Sequence, residues 1–276
     1  MPSISARDVI SDDEVRNLLE VRTQEQYQFR RAFRDHDATG INSGKFTFPQ
    51  AENNVRMGMD EVGEESDYPR TKLSYEGIEA EYTKDGFEIL ITDEAVDDAA
   101  FDVIMDVTEE MAIGADRRLD SLAYVVLENQ QNSSTIGSSG TDLNYEAIVD
   151  AYVQLVDDEF VPNDFVTLAS PDAFGDLAKD DNFTQATEPG EETIRGGVLG
   201  SPFGVPVHIT NTGDLGNDEA HMVDSGRYGY ESTRWNREVT SYREESKDAD
   251  VYKIRHRKDF VAMKPDANVF IEGGVT

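Results

Sequence analysis

The residues able to do chemistry are few and dispersed. The four histidines stand at 36, 208, 221 and 256. A zinc-protease helix needs two of them one turn apart beside a glutamate, and no such pair exists. No glycine-rich loop ends in Lys-Ser/Thr, and the hydrolase elbow G-x-S-x-G is absent. Val223-Asp224-Ser225-Gly226 matches the short signature of aspartic proteases. That chemistry needs two aspartates sharing a proton, so one copy would act only across a symmetric dimer; a turn at a strand end is the plainer reading. Asp35, Asp37, Thr39 and Gly40 match the first half of an EF-hand loop, but the position that must supply a bidentate carboxylate is Phe46. Asn132-Ser-Ser134 and Asn182-Phe-Thr184 are glycosylation acceptors by pattern, and polar loops otherwise. Arg255-His-Arg-Lys258 could meet phosphates, although alternate side chains of a strand face opposite ways and ion pairs with nearby acids compete. No catalytic, cofactor-binding or metal-binding residue is therefore expected, and the chain is not expected to be an enzyme.

Composition narrows the partners. Acids number 57 against 25 bases, a net charge of −32 spread along nearly all of the 276 residues. Such a charge repels nucleic acid and acidic lipid over most of the surface, and it is a lever that halophiles use; adaptation to a high-salt interior is expected. The charge is uneven. Residues 227–264 carry ten bases and seven acids, a balance of +3, which leaves −35 for the rest. Cysteine is absent, so stapling must come from packing or partners. No run approaches eighteen apolar residues, and the first residues lack the apolar core of a signal peptide, so an intracellular product with no membrane contact is expected.

The element that must organise the rest is a long helix over Thr92–Glu128. Val96, Ala100, Ile104, Val107, Met111, Ala115, Leu119, Leu122 and Val126 recur every three or four residues. Asp98, Asp102, Asp106, Glu109, Glu110, Asp116, Arg117 and Asp120 occupy the opposite face. Thr92 or Asp93 can cap its start, and some 33 residues would span roughly 50 Å.

Before it, residues 1–10 read as an extended arm and S-D-D-E from Ser11 as a capping box opening a helix over 12–35. Lys45–Phe48 reads as a strand stopped by Pro49. Thr71–Lys84 alternates, Asp85-Gly86 reads as a hairpin turn, and 87–91 returns. A two-stranded excursion with an acidic tip at 53–69 is expected, and a lone ribbon needs a surface, naturally a neighbouring copy. After the helix, 129–141 is a polar linker. Helix over 145–156, strand 164–170, helix 172–178 and strand 208–211 suggest a small α/β unit. Strands follow at 220–223, 228–232, 238–242, 251–256, 260–264 and 268–272.

This order of parts resembles the major capsid protein of tailed double-stranded DNA viruses, the Hong Kong 97 type of shell subunit. Gly86-Phe-Glu-Ile-Leu-Ile-Thr-Asp-Glu-Ala-Val-Asp-Asp98 looks like that family's strand entering its spine helix. Val166-Thr-Leu-Ala-Ser-Pro171 is similar to its axial strand-to-helix step, and Leu199-Gly-Ser-Pro-Phe-Gly-Val-Pro-Val207 to its L-x-G-x-P-V turn. The resemblance implies an α+β fold with an N-terminal arm (1–45), an extended β-hairpin loop (46–86), a peripheral domain (87–141 and 223–276, with the spine at 92–128) and an axial domain (142–222). It implies self-assembly of identical subunits into hexamers and pentamers of an icosahedral shell around double-stranded DNA, in a virion assembled in the host cytoplasm. Scaffolding, portal and decoration proteins would be further partners. Acids at the loop tip, Glu64, Glu65 and Asp67, would meet Arg117, Arg118, Arg234 or Arg237 of a neighbour. Arg22, Arg30, Arg31 and Arg34 of the arm, with Lys253, Arg255, Arg257 and Lys258, would face DNA. The competing readings are an encapsulin, which is a cellular compartment shell of the same fold, and a halophilic hydrolase; a calcium-binding surface protein is a third.

Overall fold

The computed structural model describes residues 28–51, 75–98, 103–180, 194–195, 198–199, 204–210 and 215–275. Ser11, Arg22, the stretch 53–69 with Glu64, Glu65 and Asp67, and Asn182 lie outside the described residues.

The described chain starts in a 3-10 turn, Phe29–Ala32. It continues through β1 (Phe33–Asp37), β2 (Lys45–Ala51), β3 (Tyr75–Glu81) and β4 (Asp85–Thr92) into α1 (Asp93–Asp98) and α2 (Val103–Asn129). Then come β5 (Thr135–Ile136), α3 (Tyr145–Asp157), β6 (Phe165–Ala169), α4 (Pro171–Lys179), β7 (Ile194–Arg195), β8 (Val198–Leu199) and β9 (Val207–Ile209). The last strands are β10 (Ala220–Asp224), β11 (Gly229–Glu244), β12 (Ala249–Ala262) and β13 (Asn268–Ile271). They form a four-stranded sheet β1-β11-β12-β4, a seven-stranded sheet β5-β13-β10-β6-β9-β8-β7, and a ribbon β2-β3. The seven-stranded sheet thus draws β5 and β13 from outside 142–222, and the polar linker supplies β5.

The helix α2 lies within the expected spine, and α1 falls in the same expected range. The 27 residues of α2 extend about 40 Å; α1 precedes it as a separate described segment, and residues 99–102 lie outside the description. Thr92 does cap α1, its Oγ1 accepting the Ala95 N–H at 3.3 Å. One end of α2 buries Met111, Ala112 and Ala115 on Ile254 of β12, with Val107, Ile89, Val239 and Tyr252 around them. The other end buries Leu119, Ala123, Tyr124 and Leu127 in the main core with α3, α4 and the seven-stranded sheet. The last carbonyls of a helix need outside donors. Here the Tyr228 hydroxyl reaches the Val126 and Gln130 oxygens (3.1 and 2.8 Å) and the Asn268 Nδ2 donates to Leu127 O (2.8 Å).

Several expectations are corrected. The expected helix does not run to 35: a 3-10 turn occupies Phe29–Ala32, and Phe33 then leads a strand that pairs in parallel with Gly229 onward. Asp35 and Asp37 therefore sit on a strand and not in a calcium loop. Asp85-Gly86 is not a hairpin turn: Asp85 pairs with His256 and Gly86 with Arg255 inside the sheet. A Cβ on Gly86 would stand 2.6 Å from the Ile254 carbonyl oxygen, so the glycine answers to close backbone approach. The ribbon partner of β3 is β2, which runs through Pro49 at a ribbon edge where a missing donor is tolerated. The base of that ribbon finds its surface on its own subunit. Phe46, Phe48, Ile78 and Ala80 pack with Ala38, Tyr82, Tyr230 and Val261. Four short strands expected between 228 and 264 are two long ones, because bulges between Thr233 and Glu238 break the alternation without ending β11.

Asn268 ties the end of α2 to β10 inside the main core, its Nδ2 donating to Leu127 O and its Oδ1 accepting from His221 Nδ1 (3.0 Å), all buried. Asn268→Ala is expected to cost on the order of 3 kcal/mol in denaturant unfolding of the full chain, because a helix carbonyl and an imidazole both lose partners.

Candidate assembly surfaces and the charge layer beneath them

The four-stranded sheet has two faces, and strand alternation sorts the expected site residues between them. On the face toward the spine, Lys258 and Glu231 lie beside Arg30 of the 3-10 turn. The Arg30 guanidinium forks onto Glu231 (Nε 2.9 Å, Nη2 2.7 Å), and Lys258 Nζ reaches the same carboxylate at 2.5 Å. The Glu231 and Lys258 side chains are 3% and 11% exposed, and Arg30 29%. Burial pushes the Glu231 carboxyl up, but the Arg30 hydrogen bond and the two cations more than offset it and hold it below its ordinary value. Asp116 of α2 pairs with Arg237 and lies 3.9 Å from Arg30.

One turn further along α2, Asp120 is fully buried. It accepts the Arg30 N–H and the Thr210 hydroxyl, each at 3.2 Å, and the Phe29 N–H as well. One spine carboxylate thus ties down the start of the described arm and the strand end after β9. Burial raises its pKa to about 7 despite those donors. Asp116 and Asp120 belong to the face expected to meet solvent; the arm and β11 cover that side, which corrects the expectation for both.

The opposite face of the sheet carries a second row. Lys253 pairs with Glu88 (3.0 Å) and Arg255 with Glu238 (2.8 Å), each directly across a strand pair. The Arg257 and Arg255 guanidiniums lie over the Trp235 ring at 4.9 and 5.6 Å, and Arg257 also donates to Tyr82 O (2.7 Å). Arg34 lies over Tyr230, 4.9 Å from its centroid, and donates to its hydroxyl. Arg31 is exposed and donates to Gln28. The expected DNA-facing set is therefore divided. Arg31 and Arg34 are exposed, and Arg30, Lys253 and Arg255 are 29%, 31% and 34% exposed beside their carboxylate partners. Lys258 is 11% exposed and held by Glu231 on the face toward the spine, which corrects its place in that set.

Of the expected intersubunit arginines, Arg118 pairs with Asp85 (3.1 Å), Arg237 with Asp116, and Arg234 with the Thr39 carbonyl (2.7 Å). Arg117 is exposed and has no partner among the described residues.

The other motifs resolve into structure. Asp224 ends β10 and its Oδ1 accepts the Gly226 N–H at 3.0 Å, so the Asp-Ser-Gly sequence is a strand-end turn. Asn132 is buried and its amide donates to Asp158 at 2.9 Å, so it is not a glycosylation acceptor. His208, His221 and His256 are buried, and desolvation lowers each to about 4. Asp142, Asp176 and Asp218 bring carboxylate oxygens within 4.8 Å of one another, a grouping that wide sequence separation hides. Burial and the repulsion of its neighbours raise Asp218, and Lys179 pairs with Asp176 at 2.9 Å.

Comparison with known proteins covers most of the chain. A family model described as phage capsid protein matches residues 79–269. No curated protein matches at the sequence level. Among solved structures, a chain of Mycobacterium phage Che8 is 14% identical over 88% of this chain and 90% of that one, with a TM-score of 0.70. The mature capsid of bacteriophage PhiM1 is 11% identical over 88% and 86%, at 0.63. The SrpI encapsulin of Synechococcus elongatus is 11% identical over 86% and 84%, at 0.60. At such identities these likenesses establish the fold, the α+β Hong Kong 97-like capsid fold.

Two substitutions test the charge layer. Glu231→Ala leaves the largely buried Lys258 without its counter-charge and Arg30 with only the more distant Asp116, and is expected to cost about 3–5 kcal/mol by chemical denaturation. The folded chain holds a proton on Asp120 up to pH about 7, which an unfolded aspartate releases near 3.8. Stability at this position is therefore lost as pH rises through that window, and fully lost above 7. The buried histidines have the opposite sign, since the unfolded chain takes up their protons near 6.5 and the folded chain only near 4. Asp120→Asn is expected to gain on the wild type as pH is raised from 5 to 8, by a few kcal/mol at most. An unfolding difference independent of pH would remove the assignment.

Proposed function

The chain belongs to the phage capsid protein family, and we propose that its copies close an icosahedral shell of hexamers and pentamers around double-stranded DNA. That it is a structural shell protein follows from the family. The observation that carries the finer reading is the extent of the match. Residues 79–269 run from the base of the ribbon through the spine and most strands of both large sheets, so the likeness spans most of the body of the subunit.

On this reading α2 is the spine, the four-stranded sheet is the peripheral body and the seven-stranded sheet is the axial body. The ribbon β2-β3 is the base of the extended loop. Its tip acids, Glu64, Glu65 and Asp67, reach a neighbour, where Arg117 is the cation with no partner among the described residues. Arg31, Arg34, Lys253, Arg255 and Arg257 supply the inner face. Contacts to phosphate without base reading suffice there, since a shell must accept any sequence. The net charge of −32 makes neighbouring copies repel at low salt, and molar salt would shorten that repulsion to a few ångströms. Assembly in a salt-rich host cytoplasm, with scaffolding, portal and decoration proteins as partners, completes the proposal.

The encapsulin reading shares the fold, as the SrpI likeness illustrates. The cargo separates the two: nuclease-protected DNA supports the viral shell, and a co-purifying enzyme the compartment.

Expression of the full chain in molar salt is expected to give closed particles by negative-stain electron microscopy. Deleting Asn53–Pro69 is expected to leave a cooperatively melting subunit that forms no shells. Normal particles from the deletion would remove the role of the loop, and a wild-type chain that stays monomeric would remove the shell.

A further inference from the structure

A strand at the end of a sheet leaves a row of N–H and C=O groups open to another chain, and proteins blunt such edges with short length, charge, proline or bulges. Among the described residues the edge strands are β1, β4, β5, β7 and the two ribbon strands. β5 and β7 have two residues each. β2 carries Pro49, β3 carries Glu76, Glu79 and Glu81, and β1 carries Arg34, Asp35 and Asp37.

β4 is the least protected of these edges. It is eight residues long and pairs with β12 from Asp85 to Thr92 without a register shift. It holds no proline and no lysine. Both of its carboxylates are neutralised within the subunit, Asp85 by Arg118 at 3.1 Å and Glu88 by Lys253 at 3.0 Å. Its second half, Ile89–Thr92, has no charge, and Phe87 and Leu90, on opposite faces, are 38% and 39% exposed. At its start a pocket of about 170 Å³ opens between the strand and the spine, lined by Asp85, Phe87, Gly114, Ile254 and His256. Asp85 Oδ2 and His256 Nε2 are buried there without a hydrogen-bond partner.

We propose that β4 receives an extended strand from a second copy of this chain, and that a hydrogen-bond donor of that strand enters the pocket beside Asp85 and His256. The charge argues for the occupant. Two copies carrying −32 repel over most of their surfaces and can approach where charge is cancelled. β4 is such a strip, and its open backbone groups are satisfied by strand addition whatever the side chains. The inference rests on the shell reading, which supplies identical neighbours.

Hydrogen exchange on the full chain, free and assembled, tests it. Amides of 85–92 that point away from β12 are expected to exchange at least about tenfold more slowly in shells than in free subunits. Because the chain has no cysteine, Leu90→Cys gives a single site for a photoactivatable cross-linker. In shells mixed from isotopically heavy and light copies, cross-links are expected between heavy and light chains. The double variant Phe87→Lys, Leu90→Lys is expected to melt within a few degrees of the wild type yet to assemble about tenfold less. Shells that form with fast β4 amides, or cross-links only within one copy, overturn the proposal and leave the shell standing. A wild-type chain that forms no shells overturns both.

Discussion

One helix must serve two sheets, and a layer of buried charge lets it. Along α2 the residues that touch neighbours change character. Met111, Ala112 and Ala115 pack on the four-stranded sheet, and Leu119, Ala123 and Leu127 enter the main core. Between them stand Asp116 and Asp120, which meet Arg237, Arg30 and Thr210. An apolar seam of this length could slide by a turn at small cost. Charges out of register would instead stay buried and unpaired, which is far more expensive than a misplaced methyl group. The Asp116 ion pairs and the hydrogen bonds to Asp120 therefore fix where the spine lies on the sheet and where the arm begins.

The same logic explains how a chain with so many acids stays compact. Most cations of β11 and β12 are matched to carboxylates in space: Lys258 to Glu231, Arg255 to Glu238, Lys253 to Glu88, Arg243 to Asp93, Arg237 to Asp116. The exposed pairs add little individually. Their effect is to cancel charge along the four-stranded sheet, so that the excess negative charge lies elsewhere. A subunit that must approach its own copies needs such neutral strips.

The sequence was legible where one interaction dominates. The spine shows as a period of three to four, α4 as Ser170-Pro171 with the Ser170 hydroxyl accepting the Ala173 N–H, and α3 as its apolar stripe. Order and spacing of the Gly86–Asp98, Val166–Pro171 and Leu199–Val207 stretches pointed to the fold. Local signals failed where tertiary contact overrides them. Asp85-Gly86 has the composition of a turn, yet the glycine is there because Ile254 O comes close. Asp116 and Asp120 look like solvent-facing acids because nothing in their neighbourhood announces that the arm will cover them. The division of Lys253, Arg255 and Arg257 from Lys258 follows from strand alternation alone, but the Arg30–Glu231 fork joins residues 201 apart and is invisible in one dimension.

The broken ladder of β11 has a mechanical consequence. Register shifts at Thr233–Trp235 and Trp235–Glu238 divide the long antiparallel pair into two regular halves. One half lies over the small apolar cluster and the other joins the main core, while Arg237 in the irregular stretch holds Asp116. Bending in such an object concentrates at the interruption, where pleat and hydrogen bonding are already relaxed. The long pair is thus jointed at its middle, where a guanidinium and a carboxylate close the gap between two regular halves.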